Sequence, residues 1–203
     1  MLVMTAEAHQ SSNRILNRAL KLFSSKGYEA TSVREICKAS GLTKPTLYHF
    51  CGSKEGVYRA LVEGALHEFR ADLLADLARP GSCPERLRGM ARRYFAYAEE
   101  RRDLARFLMA LIHNPGSAPQ TDFSGFYRQV LGGVARCLDE GVARGELRTG
   151  RNDVRLINLM GSLGEALCGC LILGEPRLTP ELADALVNSL LDGWAARPAP
   201  EHA

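Results

Sequence analysis

The fold is decided by residues 32–54, which read SVREICKASGLTKPTLYHFCGSK. Ser32 and Glu35 have the S-x-x-E spacing of a capping box, which predicts that a helix begins at Val33. Gly41 follows as a residue that readily takes positive φ, so the chain can turn sharply there. The first half of the stretch therefore predicts a short helix that ends in a tight turn.

The second half of the stretch predicts another short helix, over residues 44–51. Thr43 is a favourable N-cap, and Pro45 fits the first turn because its missing N–H has no helical partner there. Leu47 and Phe50, spaced i and i+3, can face inward. The other side chains are polar or aromatic: Lys44, Thr46, Tyr48 and His49. Two short helices joined by a tight turn form a helix-turn-helix, whose second helix enters the DNA major groove in known examples.

Residues 12–60 resemble the TetR (tetracycline-repressor-like) family of bacterial transcription regulators, in order along the N-terminal quarter of the chain. The first helix and its glycine stop are matched by Ile15, Ala19, Leu22, Phe23 and Gly27-Tyr28. The second helix, the recognition helix and the start of a long fourth helix are matched by Thr31–Ile36, Lys44–Tyr48 and Gly52–Glu55. Phe50 stands where the family usually has His or Tyr, and Cys51 where it usually has Phe. These departures imply a lost polar contact near the DNA backbone and weaker packing between helices three and four.

The candidate DNA contacts lie on and beside the second helix of the motif. From their position early on that helix, Lys44, Thr46 and His49 are the candidates for contact with base edges. The resemblance implies that Lys44, Pro45 and Thr46 reach base edges and that Arg34 contacts a base from the preceding helix. It implies phosphate contacts at Ser32, Thr43, Tyr48 and Lys54. We therefore expect base contacts to supply sequence preference and phosphate contacts to supply affinity for any DNA.

The positive charge of the chain is concentrated at its N-terminal end. Of 203 residues, 26 are Lys or Arg and 23 are Asp or Glu, so the net charge is only +3. Residues 1–60 hold nine basic and four acidic residues, a net charge of +5, and the remainder holds 17 and 19, a net charge of −2. A basic head suits a phosphate-facing surface. A non-specific architectural nucleic-acid binder, the alternative, would be more basic overall.

Enzymes are the competing class of protein, and the sequence lacks the motifs that they would need. It has no G-x-x-x-x-G-K-[ST] loop, no G-x-S-x-G elbow, no H-E-x-x-H pair and no repeated Glu-x-x-His motif. A Cys/His cluster with the spacing of metal ligands is also missing. We therefore expect neither catalysis nor a metal or other cofactor.

Beyond residue 53 the apolar pattern has helical spacing throughout. The predicted helices cover residues 53–78, 85–102, 104–112, 120–144, 153–173 and 180–196. Gly132-Gly133 should weaken or bend the fourth of these. The expected fold is all-α, with about nine helices. It comprises a three-helix DNA-binding domain over residues 1–52 and a helical effector-binding and dimerisation domain over residues 53–203.

The last two long helices predict a homodimer. Residues 156–173 are apolar on nearly every face, but polar side chains and three glycines make them a poor membrane span. We interpret them as a helix buried on several sides. The candidate interface residues are Gly161, Gly164, Leu167, Leu186, Leu190 and Trp194. The resemblance implies a two-fold four-helix bundle, which suits a palindromic double-stranded operator whose half-sites lie about one DNA turn, roughly 34 Å, apart.

Aromatic and adaptable side chains between residues 94 and 127 predict a site for a small molecule. Tyrosines and a histidine add polar groups of the kind found in apolar ligand pockets. The candidate residues are Tyr94, Tyr97, Phe107, Met109, His113, Phe126 and Tyr127. The resemblance implies an effector in this region, so we expect a repressor released from DNA by a small, largely apolar molecule.

The six cysteines do not form a disulfide pattern, and the first ten residues carry no secretory signal. We therefore expect a cytoplasmic protein whose thiols stay reduced. The cysteines are Cys37, Cys51, Cys83, Cys137, Cys168 and Cys170. Their default role is that of small buried apolar residues. The alternative to a ligand-responsive repressor is a thiol-redox-responsive regulator that uses Cys37 or Cys51, since both flank the DNA-reading helix.

Overall fold

The computed structural model describes residues 6–113, 116, 118–119 and 123–194. The helices in these ranges are α1 (Ala6–Lys26), α2 (Val33–Ser40), α3 (Lys44–Cys51), α4 (Lys54–Leu77), α5 (Cys83–Glu100), α6 (Arg102–His113), α7 (Phe123–Ala143), α8 (Asn152–Leu173) and α9 (Pro180–Trp194). The fold is all-α, and its helices follow one another in the predicted order.

The chain forms two compact units that divide inside α4. Of the described residues, the first unit holds 6–67 and those between 101 and 119, and the second holds 68–100 and 123–194. The predicted domain boundary at residues 52 and 53 falls just before α4 begins. The first unit therefore comprises α1, α2, α3, the start of α4 and also α6, which returns to it from later in the chain.

The first unit packs its short helices against α1, which contacts α2, α3 and α6. Ile15 and Ala19 on α1, Ile36 on α2 and Leu47 on α3 are all fully buried in its core. Each sits at the apolar position that the helical spacing predicts. Burial of a Leu or Ile side chain is worth about 1.5–3 kcal/mol, so these contacts fix α3 on the unit by its apolar side.

The second unit is built around α5, which packs against α7, α8 and α9. Leu87 and Met90 of α5 are fully buried with Leu138 of α7 and Leu163 of α8. Polar contacts at the surface link α5 to α9: the Arg92 guanidinium donates two hydrogen bonds to Asp184, of 2.6 and 2.5 Å, and Arg88 donates one to Asn188 of 2.8 Å. This unit carries the long helices α7, α8 and α9.

Helix α5 begins two residues earlier than predicted, at Cys83 rather than Glu85. Ser82 and Glu85 form a second S-x-x-E box: Ser82 N donates to Glu85 Oε2 at 2.8 Å, and Glu85 N donates to Ser82 Oγ at 3.3 Å. Pro84 lies in the first turn, where its missing N–H costs nothing. Helix α7 runs without a break through the Gly132-Gly133 pair, where the sequence predicted a weak point or a bend, and Gly133 packs tightly against Leu74.

Helix α8 is less covered than predicted. We expected burial on several sides, but only one side is buried. Its residues are Arg155, Leu159, Leu163, Leu167 and Cys170. On the opposite side Ile157 is 65% exposed and Ile172 is 73% exposed. Among the described residues α8 alone has the length and composition to cross a membrane, with 22% of its most apolar window buried. Helices of soluble proteins pass the same test, so this is weak support for a span.

Candidate nucleic-acid interface

The turn between α2 and α3 has the predicted construction. Ser32 and Glu35 form the capping box, and Gly41 ends α2 with φ of +66°. A residue with a Cβ would be strained at that φ, which glycine adopts freely. A contact that the sequence analysis missed fixes the same turn: Arg14 Nη2 of α1 donates a hydrogen bond of 2.6 Å to the carbonyl oxygen of Ser40.

Helix α3 is held at its start by Thr43, as predicted. The Thr43 side chain accepts a hydrogen bond from Thr46 N at 3.4 Å and lies 2.8 Å from Thr46 Oγ1. Pro45 occupies the first turn, and Leu47 is fully buried. The helix therefore has one anchored apolar side, and its polar side chains are directed away from the core.

The predicted base-contacting residues lie together on this uncovered side of the motif. Lys44, Pro45 and His49 are exposed, Thr46 is partly exposed and Arg34 is exposed on α2. Of the residues predicted to contact phosphate, Ser32 and Thr43 are exposed caps, and Tyr48 is 48% exposed. These residues all belong to the first unit. Their roles in binding DNA stay predictions.

Lys54, the last predicted phosphate contact, is engaged with Tyr28. Its ammonium nitrogen donates a hydrogen bond of 3.1 Å to the Tyr28 carbonyl oxygen and lies 4.0 Å from the centre of the Tyr28 ring. A lysine ammonium carries three donors, so two remain for a phosphate. The contacts place this charge beside the first turn of α4, close in sequence to the end of α3.

The connection from α3 to α4 depends on Gly56, which the sequence analysis did not single out. A Cβ at Gly56 would lie 1.7 Å from the carbonyl oxygen of Cys51, far inside any contact distance. The Ser53 side chain caps α4 by accepting a hydrogen bond of 2.9 Å from Gly56 N. Any larger residue at position 56 would push α3 and α4 apart. The signal was a glycine in the first turn of a helix, where propensity gives no reason for one.

A second missed residue is Lys26, at the end of α1. Its ammonium forms an ion pair with Glu35, the acidic member of the capping box. The hydrogen bond from Lys26, together with those from Ser32, lowers the pKa of Glu35 to about 2. The carboxylate is therefore ionised at neutral pH and links α1 to the start of α2.

The predicted ligand-binding residues are divided between the two units. Tyr94, Tyr97, Phe126 and Tyr127 belong to the second unit and gather around Phe69 of α4, which the sequence analysis missed. The Phe69 ring centre lies 5.4 Å from that of Tyr94, 4.5 Å from that of Tyr97 and 5.8 Å from that of Phe126. Tyr127 contacts Phe126 at 5.7 Å. Burial raises the pKa values of the Tyr94 and Tyr127 hydroxyls, which therefore stay protonated.

Phe107, another predicted ligand-binding residue, belongs to the first unit. It is 4% exposed and packs in the first unit against Phe23, at 6.0 Å between ring centres, and Tyr58, at 5.9 Å. Its place on α6 makes it a core residue of that unit, because α6 packs on α1. Met109 lies on the same helix and is partly buried. The side chain of His113 lies outside the described residues.

Four of the six predicted dimer residues are exposed or partly exposed. An added Cβ at Gly161 or Gly164 would meet no atom of the chain within 4 Å. Leu186 and Leu190 are partly exposed, whereas Leu167 is 7% exposed and belongs to the core of the second unit, which corrects its assignment. The side chain of Trp194 is outside the part of the chain that the structure describes.

Exposed apolar side chains extend the same face of α8 and were missed. They are Val154, Ile157 and Ile172. Val154 and Ile157 continue the Gly161 and Gly164 positions with alternating spacings of three and four residues, which was the signal available in the sequence. The open face of α8 is defined here as Val154, Ile157, Gly161 and Gly164.

The cysteines do not support the predicted switch beside α3. Cys37 is buried, and burial raises the pKa of the partly buried Cys51 thiol, which disfavours its reactive thiolate. The cysteines that do lie together are Cys83 and Cys137, with 3.7 Å between their sulfur atoms. Within the described residues, no group of three or more His, Cys, Asp or Glu side chains is arranged to hold a metal ion.

Comparison with known proteins shows which family the N-terminal part of the chain matches. Residues 15–61 match the family model described as bacterial regulatory proteins, tetR family. The regulator UidR of Escherichia coli K12 is 39% identical over 71 residues, 33% of this chain and 36% of UidR, and the repressor ComR of the same strain is 42% identical over 62 residues, 30% of each chain. The match thus spans about a third of the length of these relatives.

Structural similarity extends over most of the chain. The TetR-family regulator PfmR of Thermus thermophilus has a TM-score of 0.73 and is 28% identical, and the comparison covers 88% of this chain and 97% of PfmR. The relatives found are transcription regulators rather than enzymes. Because the family match falls on the residues that build the capped helix-turn-helix, residues 15–61 of this chain carry the module that the tetR family of bacterial regulatory proteins shares.

Proposed function

We propose that this protein is a cytoplasmic, homodimeric transcriptional repressor that a small, largely apolar effector releases from a palindromic DNA operator. The observation that carries the proposal is the construction of α3. Its apolar residue Leu47 is fully buried, whereas Lys44, Tyr48 and His49 remain in solvent on a helix that is capped at both ends. Such a helix presents its hydrogen-bond donors and acceptors in fixed positions, as recognition of base edges requires.

The charge around α3 supports binding to DNA. Arg34, Lys44 and Lys54 bring cations to the motif, and residues 1–60 carry a net charge of +5. Neutralising phosphates releases counterions, so these cations give affinity that falls with salt concentration. The base-contacting set supplies the preference for one sequence over another.

The open face of α8 supports a homodimer. Isolated exposed apolar residues are ordinary, but Val154 and Ile157 continue a strip of small residues that leaves room for another helix. The partly exposed Leu186 and Leu190 lie on α9, which packs beside α8. A two-fold axis allows the same face of each subunit to cover the other, and it presents two α3 helices to a palindrome.

The effector is proposed to bind at the aromatic cluster of the second unit, defined as Phe69, Tyr94, Tyr97, Phe126 and Tyr127. Flat apolar rings with protonated hydroxyls suit an apolar molecule that carries few polar groups. Phe69 lies on α4, which begins directly after the helix-turn-helix of α2 and α3. We call this helix-turn-helix, with its caps Ser32 and Thr43, the reading head. A ligand that binds one conformation of α4 better shifts the population, with a typical coupling of about 1–3 kcal/mol.

Selection from random duplex DNA tests the proposed function. The full chain is used to enrich binding sequences, and its affinity for the enriched duplex is compared with that for a scrambled duplex at several salt concentrations. We expect enrichment of an inverted repeat and a specificity ratio of about 10³ or more. No enriched sequence, with equal affinity for all duplexes, would instead support an architectural DNA binder.

Operator release tests the effector site. The enriched duplex is titrated with protein in the presence of a panel of apolar acids, sterols and aromatic compounds. We expect one class to release the DNA, and Tyr127→Ala to weaken that response while keeping DNA affinity unchanged. Ile112→Ala, a comparably exposed apolar residue on α6, is the matched control. Release that is equally efficient in the Tyr127 variant would place the effector elsewhere.

A further inference from the structure

Two buried thiols lie close together, one at the start of α5 and the other within α7. Cys83 is the first residue of α5 and is fully buried, and Cys137 on α7 is 2% exposed. Their sulfur atoms are 3.7 Å apart. Bonded sulfur atoms lie about 2.05 Å apart, so the pair needs to close by less than about 2 Å to form a bond. Among the described cysteines, these two alone lie within hydrogen-bond distance of each other.

The helices are packed tightly around this pair. A Cβ at Gly141, one turn beyond Cys137 on α7, would lie 2.7 Å from Cβ and 2.9 Å from Sγ of Cys83. Cys83 N also donates a hydrogen bond of 2.6 Å to Glu146, beyond the end of α7. Because contacts on both sides hold Cys83 against α7, the two thiols are kept side by side and need no large movement to react.

A buried cation lies beside the two thiols. Arg86, one turn along α5 from Cys83, is 8% exposed, and its Nη1 pairs with Glu140 at 2.7 Å and donates to the Leu77 carbonyl oxygen at 3.2 Å. Its Nε and Nη2 atoms are buried without a hydrogen-bond partner. A buried donor without an acceptor is unfavourable, and a thiolate is an anionic acceptor. An anionic sulfur at this site would give the two unpaired Arg86 donors an acceptor.

The electrostatics assign the two sulfurs different roles. The hydrogen bond between the thiols lowers the pKa of Cys137, and the positive charge of Arg86 acts in the same direction. The same hydrogen bond and burial raise the pKa of Cys83. Cys137, but not Cys83, also lines the cavity described below, so we assign Cys137 as the sulfur that reacts first and Cys83 as the sulfur that follows. A nucleophilic thiolate next to a second thiol is the arrangement from which disulfides form.

A cavity gives a small oxidant access to Cys137. It has a volume of about 570 Å³, and Cys137 and Arg86 form part of its wall. The remaining wall comes from Leu74, Leu77–Gly81, Gly133, Arg136, Glu140 and Arg144. Hydrogen peroxide is about as small as two water molecules, so this space admits it easily. Burial of Cys137 from bulk solvent thus does not isolate its sulfur from a small oxidant.

We propose that Cys83 and Cys137 are a redox modification site, at which hydrogen peroxide converts the two thiols into a disulfide between α5 and α7. The Cys137 thiolate attacks one peroxide oxygen, so an S–O bond forms, the O–O bond breaks and hydroxide leaves to become water. The Cys83 sulfur then attacks the Cys137 sulfenic acid, and its proton leaves with the displaced hydroxide as a second water. Two thiols and one peroxide give one disulfide and two waters, with sulfur oxidised and peroxide reduced.

Peptide mapping of the full chain tests this site without any variant. The protein is treated with hydrogen peroxide, unfolded in the presence of an alkylating reagent and digested with trypsin. We expect a cross-linked pair of peptides containing Cys83 and Cys137, lighter than the separate dithiol peptides by two hydrogens. Dithiothreitol should restore both free thiols. Peroxide treatment that leaves both cysteines open to alkylation, or that oxidises Cys51 and Cys168 first, would overturn the proposal.

Variants separate the two sulfur roles. In Cys83→Ser we expect the sulfenic acid on Cys137 to persist and to be trapped by dimedone, whereas in Cys137→Ser little dimedone should be incorporated at Cys83. Cys37→Ser/Cys51→Ser is the matched control and should form the cross-link at the wild-type rate. Equal dimedone labelling in both single variants would contradict the assigned order. The outcome is independent of operator binding, because the readout is covalent.

Discussion

Helices α3 and α8 both leave one side uncovered by their own chain, but with opposite kinds of side chain. Helix α3 exposes Lys44, His49 and nearly half of Tyr48, whereas α8 exposes Ile157 and Ile172 and two glycines. Polar groups in water keep their hydrogen bonds to solvent, so exposing the polar side of α3 costs little free energy while no DNA is bound. Exposed apolar area costs about 25 cal/mol per Å², so α8 gains by being covered. The difference indicates DNA as the partner of α3 and protein as the partner of α8.

The largest expected effect follows from charging the α8 face with Gly164→Arg. An added Cβ there meets no atom within 4 Å, so the isolated chain should accept the arginine. In a homodimer the same charge would be buried without a partner, which is strongly unfavourable. We expect monomers by analytical ultracentrifugation and operator affinity lower by ~100-fold or more, because two linked half-sites bind with avidity.

Gly64→Arg is the control for this change. Gly64 is also exposed on a helix, and an added Cβ there has the same open space. We expect this variant to stay dimeric, so that loss of the dimer in Gly164→Arg reflects its position rather than the added charge. A Gly164→Arg protein that sediments as a dimer and binds the operator normally would remove α8 from the interface.

The next effect concerns the polar side of α3. Lys44→Ala should remove a base contact, which is worth about 1–3 kcal/mol of discrimination against the wrong base pair. We expect operator affinity to fall by roughly 5- to 150-fold, with a much smaller loss on scrambled duplex. Lys21→Ala, an exposed lysine on α1, is the control and should change neither affinity much. Equal losses on both duplexes would make Lys44 a phosphate contact.

Lys54→Ala should have a smaller and different effect. We expect weaker binding to every duplex and a plot of log K against log salt whose slope is shallower by about one. Lys54 also contacts the carbonyl oxygen and ring of Tyr28, so some loss of thermal stability should accompany the change. Lys54→Arg keeps the charge and should retain the salt slope. A changed sequence preference in Lys54→Ala would contradict its role as a phosphate contact.

The reading head was largely predictable because its signals are local. Ser32, Glu35, Gly41 and Thr43 lie within one short stretch, and each acts on backbone groups a few residues away. The same reasoning would have found the capping box of Ser82 and Glu85, which has the same S-x-x-E spacing. Caps, turns and helix order therefore follow from spacing, without knowledge of distant contacts.

Sites that depend on tertiary contacts were not predictable from spacing. Phe107 has the same character as Phe126, yet the first is core of one unit and the second belongs to the aromatic cluster of the other. No local feature of the sequence distinguishes the two residues. Their different surroundings arise because α6, which carries Phe107, belongs to the first unit. The contact of Cys83 with Cys137 likewise joins residues far apart in sequence. Gly56 is a different case, because its contact with the backbone of Cys51 is local and its position in the first turn of α4 was the available signal.

The smallest expected effect tests the ion pair that supports α2 in the reading head. Glu35→Gln keeps a side-chain oxygen for the capping box but removes the charge that pairs with Lys26. The pKa of Glu35 is lowered to about 2 from its ordinary 4.5, so between these pH values the unfolded chain binds more protons than the folded one. The stabilisation is therefore complete above pH 4.5 and is lost as the pH falls towards 2.

Thermal unfolding measured as a function of pH checks this sign. The Tm of the wild type should exceed that of Glu35→Gln by a small and constant amount from pH 8 to pH 5, and the gap should close below pH 4.5 as the carboxylate is protonated. Glu63→Gln, at an exposed position on α4, should show no such gap. A gap that is unchanged at pH 3 would mean that Glu35 acts through its hydrogen bonds to Ser32 alone, and the polar support of the reading head would then need no charge.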